Sequence, residues 1–520
     1  PQLIEGLEER VIRAYRQYHA YPTKLQQNIY LGNLNNTNQV LFYRLVSEHL
    51  ADMLPTIYTP IVGSAVKQYS EEYRQPRGLY ITYADKDIID DVLQNRSNPQ
   101  VDLIVVTDGE GVLGIGDQGV GGMDIPVAKL MVYTLCGGVN PCRTLPIFLD
   151  VGTNNESLLN DPLYLGWRHP RLIGKEYDDF IHAFVQAVQR QFPKAFLHWE
   201  DFGAGNARRI LHRFQDKLCT FNDDIQGTGA VTLAALLAAV NVTGTALTQQ
   251  RIVVFGAGSA GTGVADQICA ALLQHGLTRE QAYRQFWLID RQGLLVQGDS
   301  TLSAGQLPYA RDPSDVANWQ LTDANQITLQ DVVTHVKPTV LIGCSAVANA
   351  FSESVVRTMY QHAPRPIIFP LSNPTERCEA QPIHLLDWTD GQALIATGTA
   401  FEDVHYHDRN YAIAQCNNAL VFPGIGLGVL AVGAKRLTSD MIWQVCIALS
   451  ECSPARQDPY APLLPSLDHA QHVAKYIAKV VAEEGIKQKF ATKNQQSDLT
   501  AVIEELFWQP HYLPYEYVDS

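Results

Sequence analysis

A hexapeptide near the middle of this chain leaves few folds open. Gly256-Ala257-Gly258-Ser259-Ala260-Gly261 follows an apolar β-branched run at 251–255 and leads into a helical stretch at 260–274. A G-x-G-x-x-G run says little alone; between a strand and a helix it reads as a dinucleotide-binding turn. Gly256 permits the tight turn, Gly258 lets a pyrophosphate approach the backbone, and Gly261 allows close helix–strand packing. Ser259 and Ala260 open the helix, whose N-terminus faces the phosphate charge. The next strand run ends at Ile289-Asp290-Arg291. Asp290 is placed to bond ribose hydroxyls, which favours NAD over NADP, and Arg291 beside it leaves a 2′-phosphate partner open. Asp290 lies beyond the usual spacing of about 20 residues, so a longer crossover is expected. A second match, Gly114-Ile115-Gly116-Asp117-Gln118-Gly119, has no strand running directly into it, and its glycines are read as structural.

The rest of the chain extends the same architecture. Strand-like runs at 101–106, 145–149 and 195–199 are separated by helical stretches such as 178–191. The alternation restarts at 251–255 and continues through 286–289, 339–342, 366–369 and 393–396. Strands alternating with helices predict parallel sheets covered on both faces. The expected fold class is α/β, with two doubly wound, mainly parallel sheets, one of them a Rossmann NAD-binding domain. Helical regions are expected at both ends. The predicted units are an N-terminal helical region (1–76), an α/β substrate and metal domain (77–222 with 418–489), a Rossmann domain (223–417) and a C-terminal tail (490–520). Pro55 and Pro60 are expected to break the N-terminal helices and leave Tyr58 on a loop or helix start.

Composition removes other classes. The 520 residues contain 46% apolar and 18% charged residues, a balance that argues against disorder. Lys and Arg number 39 against 54 Asp and Glu, a formal charge of −15, so no nucleic-acid partner is expected. Nine cysteines, an odd number with no Cys-x-x-Cys, read as reduced thiols of a cytoplasmic protein. The first ten residues lack a basic, apolar, small-residue leader pattern, and no apolar run is read as long enough to span a bilayer.

Two acidic pairs stand beside apolar residues: Trp199-Glu200-Asp201-Phe202 and Phe221-Asn222-Asp223-Asp224-Ile225. Adjacent carboxylates repel one another when buried, and a hard divalent cation such as Mg²⁺ or Mn²⁺ removes that penalty. Two solvated acidic turns are the plainer reading, and the pattern alone leaves both open.

Taken in order, several segments resemble malic enzymes: Ile57-Tyr58-Thr59-Pro60, Val105 to Glu110, Leu149 to Asn155, Glu200-Asp201-Phe202, Phe221 to Thr228, Leu371-Ser372-Asn373-Pro374-Thr375 and Asn417-Asn418. The resemblance spans nearly the whole chain. It implies L-malate as substrate, NAD and Mn²⁺ or Mg²⁺ as cofactors, pyruvate or lactate as product, and a homodimer or homotetramer. It implies Glu200, Asp201 and Asp224 as metal ligands, Lys129 as general base supported by Asp223, and Tyr58 as general acid. Asn373 and Asn418 match residues near substrate and nicotinamide. For Lys129 to act as a base, a nearby cation and burial are expected to lower its pKa.

The chain also departs from that family. Malic enzymes usually carry an Arg for a malate carboxylate where this chain has Gly111. Gly111, Asp124, His198-Trp199 and Glu402-Asp403-Val404 resemble malolactic enzymes, which form L-lactate and CO₂ with NAD retained. Tyr58-Thr59-Pro60, Arg77-Gly78-Leu79 and Gly116-Asp117-Gln118-Gly119 resemble NAD-linked bacterial malic enzymes. Oxidative decarboxylation to pyruvate is the reading taken, with the malolactic reaction as its alternative. A dehydrogenase without decarboxylation and a non-enzymatic NAD-binding regulator are the competing classes; loss of turnover on chelation separates the first, and turnover of any C4 acid the second.

Overall fold

Strands that are apolar at consecutive positions, not alternate ones, must be covered on both faces. The computed structural model, which describes residues 5–514 apart from 97, 113, 324 and 325, has two such sheets. The first contains β1 (Leu79–Thr82), β2 (Leu103–Thr107), β3 (Thr144–Asp150), β4 (Phe196–Trp199) and β5 (Thr220–Asn222). Their order is β1-β3-β2-β4-β5, and every pairing is parallel. All residues of β2, β4 and β5 are buried. The second sheet is built from β6 (Ile252–Phe255), β7 (Phe286–Asp290), β8 (Gly293–Leu294), β9 (Val340–Gly343), β10 (Ile367–Pro370), β11 (Leu394–Thr397) and β14 (Ala414–Gln415). Its order is β14-β11-β10-β9-β6-β7-β8, parallel except for β7 with β8. A separate hairpin pairs β12 (Val404–Tyr406) with β13 (Arg409–Tyr411).

Each sheet has a point where the chain reverses direction across it, and open α/β sheets bind ligands beyond the strand C-termini at that point. In the second sheet β6 lies between β7 and β9, so the reversal falls on the glycine turn. In the first, β2 lies between β3 and β4, so the reversal falls on Asp108 to Gly111 beside Glu200-Asp201.

Five helices precede the first sheet: Leu7–Ala20, Lys24–Thr37, Gln39–Glu48, Leu50–Ile57 and Val62–Lys67. Pro55 does not break the fourth, contrary to the sequence expectation, and Tyr58 caps its C-terminal end. The backbone bond that Pro55 forgoes would reach Ala51, and both residues are exposed, so water satisfies the freed carbonyl. A second correction concerns membrane-spanning length. The helical segment Asp223–Thr243 is long and apolar enough by length and composition to cross a bilayer. Its alanines, valines and leucines lie in the largest core cluster, which gives that composition a packing role. The polar residues at 223, 224, 226, 228 and 232 had hidden this from a count of consecutive apolar residues.

The chain then returns to the first sheet. Helix Phe422–Val432 carries glycines where neighbours crowd it: a Cβ on Gly424 would meet Ile477 at 2.7 Å, and one on Gly426 would meet Tyr133 at 2.6 Å. This close approach sets Asn417 and Asn418, just ahead of the helix, beside the C-terminal ends of β4 and β5.

Candidate active site

Two strand ends supply the acids. β4 runs directly into Glu200 and Asp201, and β5 into a single π-helical turn, Asp223–Gly227, that carries Asp223 and Asp224. Such turns recur at functional sites because the extra residue redirects side chains. Asp201 has φ 55°, a left-handed conformation that Asp tolerates better than most residues. Its N–H donates to Asp224 Oδ2 at 2.8 Å, which holds the turn. One carboxylate oxygen from each of Glu200, Asp201 and Asp224 lies within 4.8 Å of the other two. Burial, then the carboxylates of Glu200 and Asp223, pushes the Asp224 carboxyl far above its usual range. Burial likewise lifts Glu200 to about 8.

Lys129 comes from helix Asp124–Gly137 and is 1% exposed. Its ammonium bonds Asp223 Oδ2 and lies 3.1 Å from Glu200 Oε1. It also sits over the rings of Phe422 (4.6 Å) and Tyr58 (5.2 Å). Burial lowers its pKa, but Asp223 and then Glu200 outweigh that and raise it well above 10.5. With these carboxylates as its partners Lys129 is an ammonium; the expected downward shift requires a cation to offset them. Asn418 Nδ2 donates to Asp223 Oδ2 at 3.0 Å and to Thr228 Oγ1 at 3.1 Å, so it braces the Lys129 partner. Tyr58 is 5% exposed, and burial raises its phenol well above 10.

The donor set fits a hard divalent cation. Glu200, Asp201 and Asp224 gather beside the Lys129–Asp223 pair, and the raised pKa of Glu200 and Asp224 marks carboxylates that a hard cation would hold ionised. Three oxygen donors also suit Mg²⁺ or Mn²⁺.

A cleft of about 430 Å³ joins this centre to the second sheet. Tyr58, Lys129, Glu200, Asp201, Asp224, Asn373 and Asn418 line it, together with Ser259 and Ala260 at the start of helix Ser259–Gln274. Asp223 lies behind this lining, fully buried. Each glycine of the turn has its expected geometry. Gly256 has φ 101° and abuts the Cys344 carbonyl, Gly261 packs on the Gly256 carbonyl, and a Cβ on Gly258 would meet nothing within 4 Å. Asp290 does not line the cleft; it ends β7, next to β6, and its Oδ2 accepts from Gln306 Nε2 at 2.7 Å. Within the Gly114–Gly119 run, Gly114 lies on the cleft wall. Asp117 in the same run pairs with buried Arg171 at 2.7 Å, and Arg171 also donates to the Asp108 carbonyl at 2.8 Å.

Sequence families agree with this geometry. Residues 35–215 match the model of the malic enzyme N-terminal domain, and residues 225–486 that of the malic enzyme NAD-binding domain. The chain belongs to the malic enzyme family. It is 50% identical over 516 residues to the NAD-dependent malic enzyme of Proteus mirabilis, covering 99% of this chain and 91% of that one. It is 49% identical over 516 residues to NAD-dependent malic enzyme 1 of Vibrio vulnificus, covering 99% and 92%. The fold resembles the crystal structures of malic enzymes from Entamoeba histolytica (TM-score 0.59, 23% identity, 87% of this chain and 80% of that one) and Pyrococcus horikoshii (TM-score 0.56, 23% identity, 88% of each).

Within this family site, three features escaped the sequence reading. Glu379, fully buried, accepts from Ser345 N (2.8 Å) and Ser372 Oγ (2.5 Å), tying together the loops after β9 and β10. Arg171 staples the loop after β2, through Asp117 and Asp108. His198 and Tyr133 stand behind Glu200. Most of these contacts join residues 34 to 65 positions apart, and the short ones, Glu379 with Ser372 and His198 with Glu200, follow no local motif. Gly111 lies on the cleft wall; its N–H donates to the Asp201 carbonyl at 2.8 Å, and a Cβ there would meet the Phe202 carbonyl oxygen at 2.7 Å.

Proposed function

We propose that this chain catalyses metal-dependent oxidative decarboxylation of L-malate to pyruvate and CO₂, with NAD⁺ reduced to NADH. The observation that supports this reading is the shared cleft. It sets the acid triad, Lys129 and Tyr58 opposite the N-terminus of the glycine-turn helix. Glu200, Asp201 and Asp224 would hold the divalent cation, which when bound supplies Lewis-acid stabilisation of negative charge at the substrate's C2 oxygen. The same charge compensates Glu200, and Lys129, relieved of part of its anionic surroundings, becomes able to lose a proton.

Lys129 then accepts the C2 hydroxyl proton; a nicotinamide held by the glycine turn and by Asn373 and Asn418 would supply the acceptor for the C2 hydride. The C4 carboxylate leaves as CO₂, and Tyr58 returns a proton to C3. Lys129 lies over the Tyr58 ring, so the proton accepted at C2 ends one residue from the phenol that supplies C3. Asp223 and Asn418 hold Lys129 in line. Asp290, fixed by Gln306, would accept from the ribose hydroxyls and so favour NAD. In this reading the substrate unit comprises 77–222 with 418–489, and the NAD unit 223–417. The protein is a cytoplasmic homodimer or homotetramer, and its nine free thiols suit a reducing compartment.

The test is one incubation with L-malate, Mn²⁺ and NAD⁺ that measures NADH, pyruvate and lactate, repeated with chelator. Pyruvate matched by NADH, lost on chelation, is the expected result. Lactate without net NADH would replace this reading with the malolactic one, in keeping with Gly111.

A further inference from the structure

His198, next but one before Glu200, is 0% exposed. Its Nε2 lies 2.7 Å from Glu200 Oε2, and its Nδ1 lies 2.8 Å from the Tyr133 hydroxyl. The ring is fixed edge-on between Tyr133, Phe221 and Phe422, with centroids 5.7, 5.3 and 5.8 Å away. Glu200 thus has both oxygens engaged by the protein, Oε1 by Lys129 and Oε2 by His198.

The tautomer follows from the partners. A buried phenol needs an acceptor, and Nδ1 is the ring atom that faces it. With Nδ1 accepting, the ring proton sits on Nε2 and points at Glu200 Oε2. The opposite tautomer would set the Nε2 lone pair against a carboxylate lone pair at 2.7 Å.

We propose that Tyr133 and His198 form a fixed hydrogen-bond relay that aims the Glu200 carboxylate at the divalent cation. His198 is a positioning residue, an Nε2–H donor that sets which way Glu200 presents its remaining lone pairs to the point shared with Asp201 and Asp224. This rests on the reading of Glu200 as a metal ligand. Outer-sphere partners of metal-bound carboxylates and imidazoles typically contribute 10–100-fold in affinity.

The experiment measures Mn²⁺ binding directly, by electron paramagnetic resonance of free Mn²⁺, on the full chain stripped by chelator. His198→Leu fills similar space without a donor, whereas His198→Gln places an amide N–H near the Nε2 position. The expected result is an Mn²⁺ dissociation constant about 10–100-fold weaker in His198→Leu, with recovery to near parental values in His198→Gln. Tyr133→Phe, which keeps the ring and loses only the tautomer lock, falls between the two. Unchanged Mn²⁺ affinity in Tyr133→Phe together with either His198 variant at parental thermal stability would overturn the relay. Equal loss in His198→Leu and His198→Gln would reduce His198 to packing and overturn it too. If His198→Leu fails to fold, the comparison of His198→Gln with Tyr133→Phe decides: parental affinity in the first with weakening in the second supports the relay, and any other pattern overturns it. Glu200→Gln is the control. Should it bind Mn²⁺ as tightly as the parent, the ligand reading itself fails; should it alone weaken, only the relay fails.

Discussion

Replacing Lys129 with alanine should be costly in two separable ways. Lys129 bonds Asp223, which is 0% exposed, and Glu200, which is 2% exposed. Removing one partner of a buried ion pair leaves uncompensated charge and costs about 3–5 kcal/mol. That is a large part of the 5–15 kcal/mol by which folded domains usually exceed their unfolded states. A chain of 520 residues does not unfold in one step, so the loss is best read as a thermal midpoint lower by on the order of 5–10 °C in metal-stripped protein. Saturating Mn²⁺ should shrink the gap, because the cation takes over the compensation of Glu200. Asp223→Asn added to Lys129→Ala should recover part of it, since the double variant buries one charge fewer. Lys129 is held above its ordinary pKa, so the gap should persist to about pH 10.4 and fade as pH rises through the folded value; the share owed to Glu200, whose carboxyl is lifted to about 8, should shrink as pH falls through that value. Turnover of malate should fall about 10²–10⁴-fold, the usual worth of a general base, with NAD⁺ affinity unchanged. Near-normal turnover in Lys129→Ala would refute its role as base. Additive effects of the two substitutions on stability would refute the buried pair.

Three further outcomes are expected. Asp224→Asn should weaken Mn²⁺ binding by more than the roughly 10–100-fold typical of outer-sphere changes, because it removes a ligand's charge and leaves one amide oxygen to serve both the cation and the Asp201 N–H; calorimetry with Mn²⁺ alone reads this, and an unchanged constant removes Asp224 from the ligands. Gly111→Ala should destabilise by about 1–3 kcal/mol through collision with the Phe202 carbonyl, whereas Gly111→Arg should in addition change the malate KM or the pyruvate-to-lactate ratio. Burial alone would raise the Asp117 carboxyl, but hydrogen bonds and charge from Arg171 outweigh it and hold its pKa below the ordinary value. The stability it contributes is therefore present above about pH 4 and lost as pH falls below that; the difference in thermal midpoint between parent and Asp117→Asn should be constant from pH 5 to 8 and close at lower pH.

The second sheet was legible because its signal is local. Five strand runs, each read within about one residue of its observed ends, and the glycine turn lie close together in sequence, and each glycine behaves as its position requires. β5, β8 and β12 to β14, of two or three residues, carry no periodicity and were missed, and β1, with one buried residue of four, lacks the apolar run that marked the others. The acid pairs were visible as pairs, but their convergence depends on β4 and β5 being neighbours, a fact of sheet order and not of spacing. Lys129 and Tyr58 were found only through the family resemblance. Lys129 sits on a helix buried on nearly every face, where no stripe marks the inward side. The two carboxylates that dominate its charge state are 71 and 94 positions away, beyond the reach of any local pattern.

Position 111 ties the chemistry to the substrate. Among the described residues that line the cleft, Lys129 is the sole cationic side chain, and it is committed to Asp223 and Glu200. A C4 dicarboxylate brings two negative charges into a pocket whose remaining polar lining includes the neutral amides Asn373, Gln415, Asn417 and Asn418. Neutral donors hold a carboxylate more weakly than an Arg fork does. A contact made equally to substrate and transition state changes KM and leaves kcat alone. The absence of an Arg at 111 therefore belongs in KM, provided the side chain it replaces would touch only the resting carboxylate. If Gly111→Arg lowers KM alone, a ground-state contact has been restored. If kcat or product ratio moves with it, position 111 lies against the atoms whose bonds are changing, and its glycine is part of how this cleft selects its reaction.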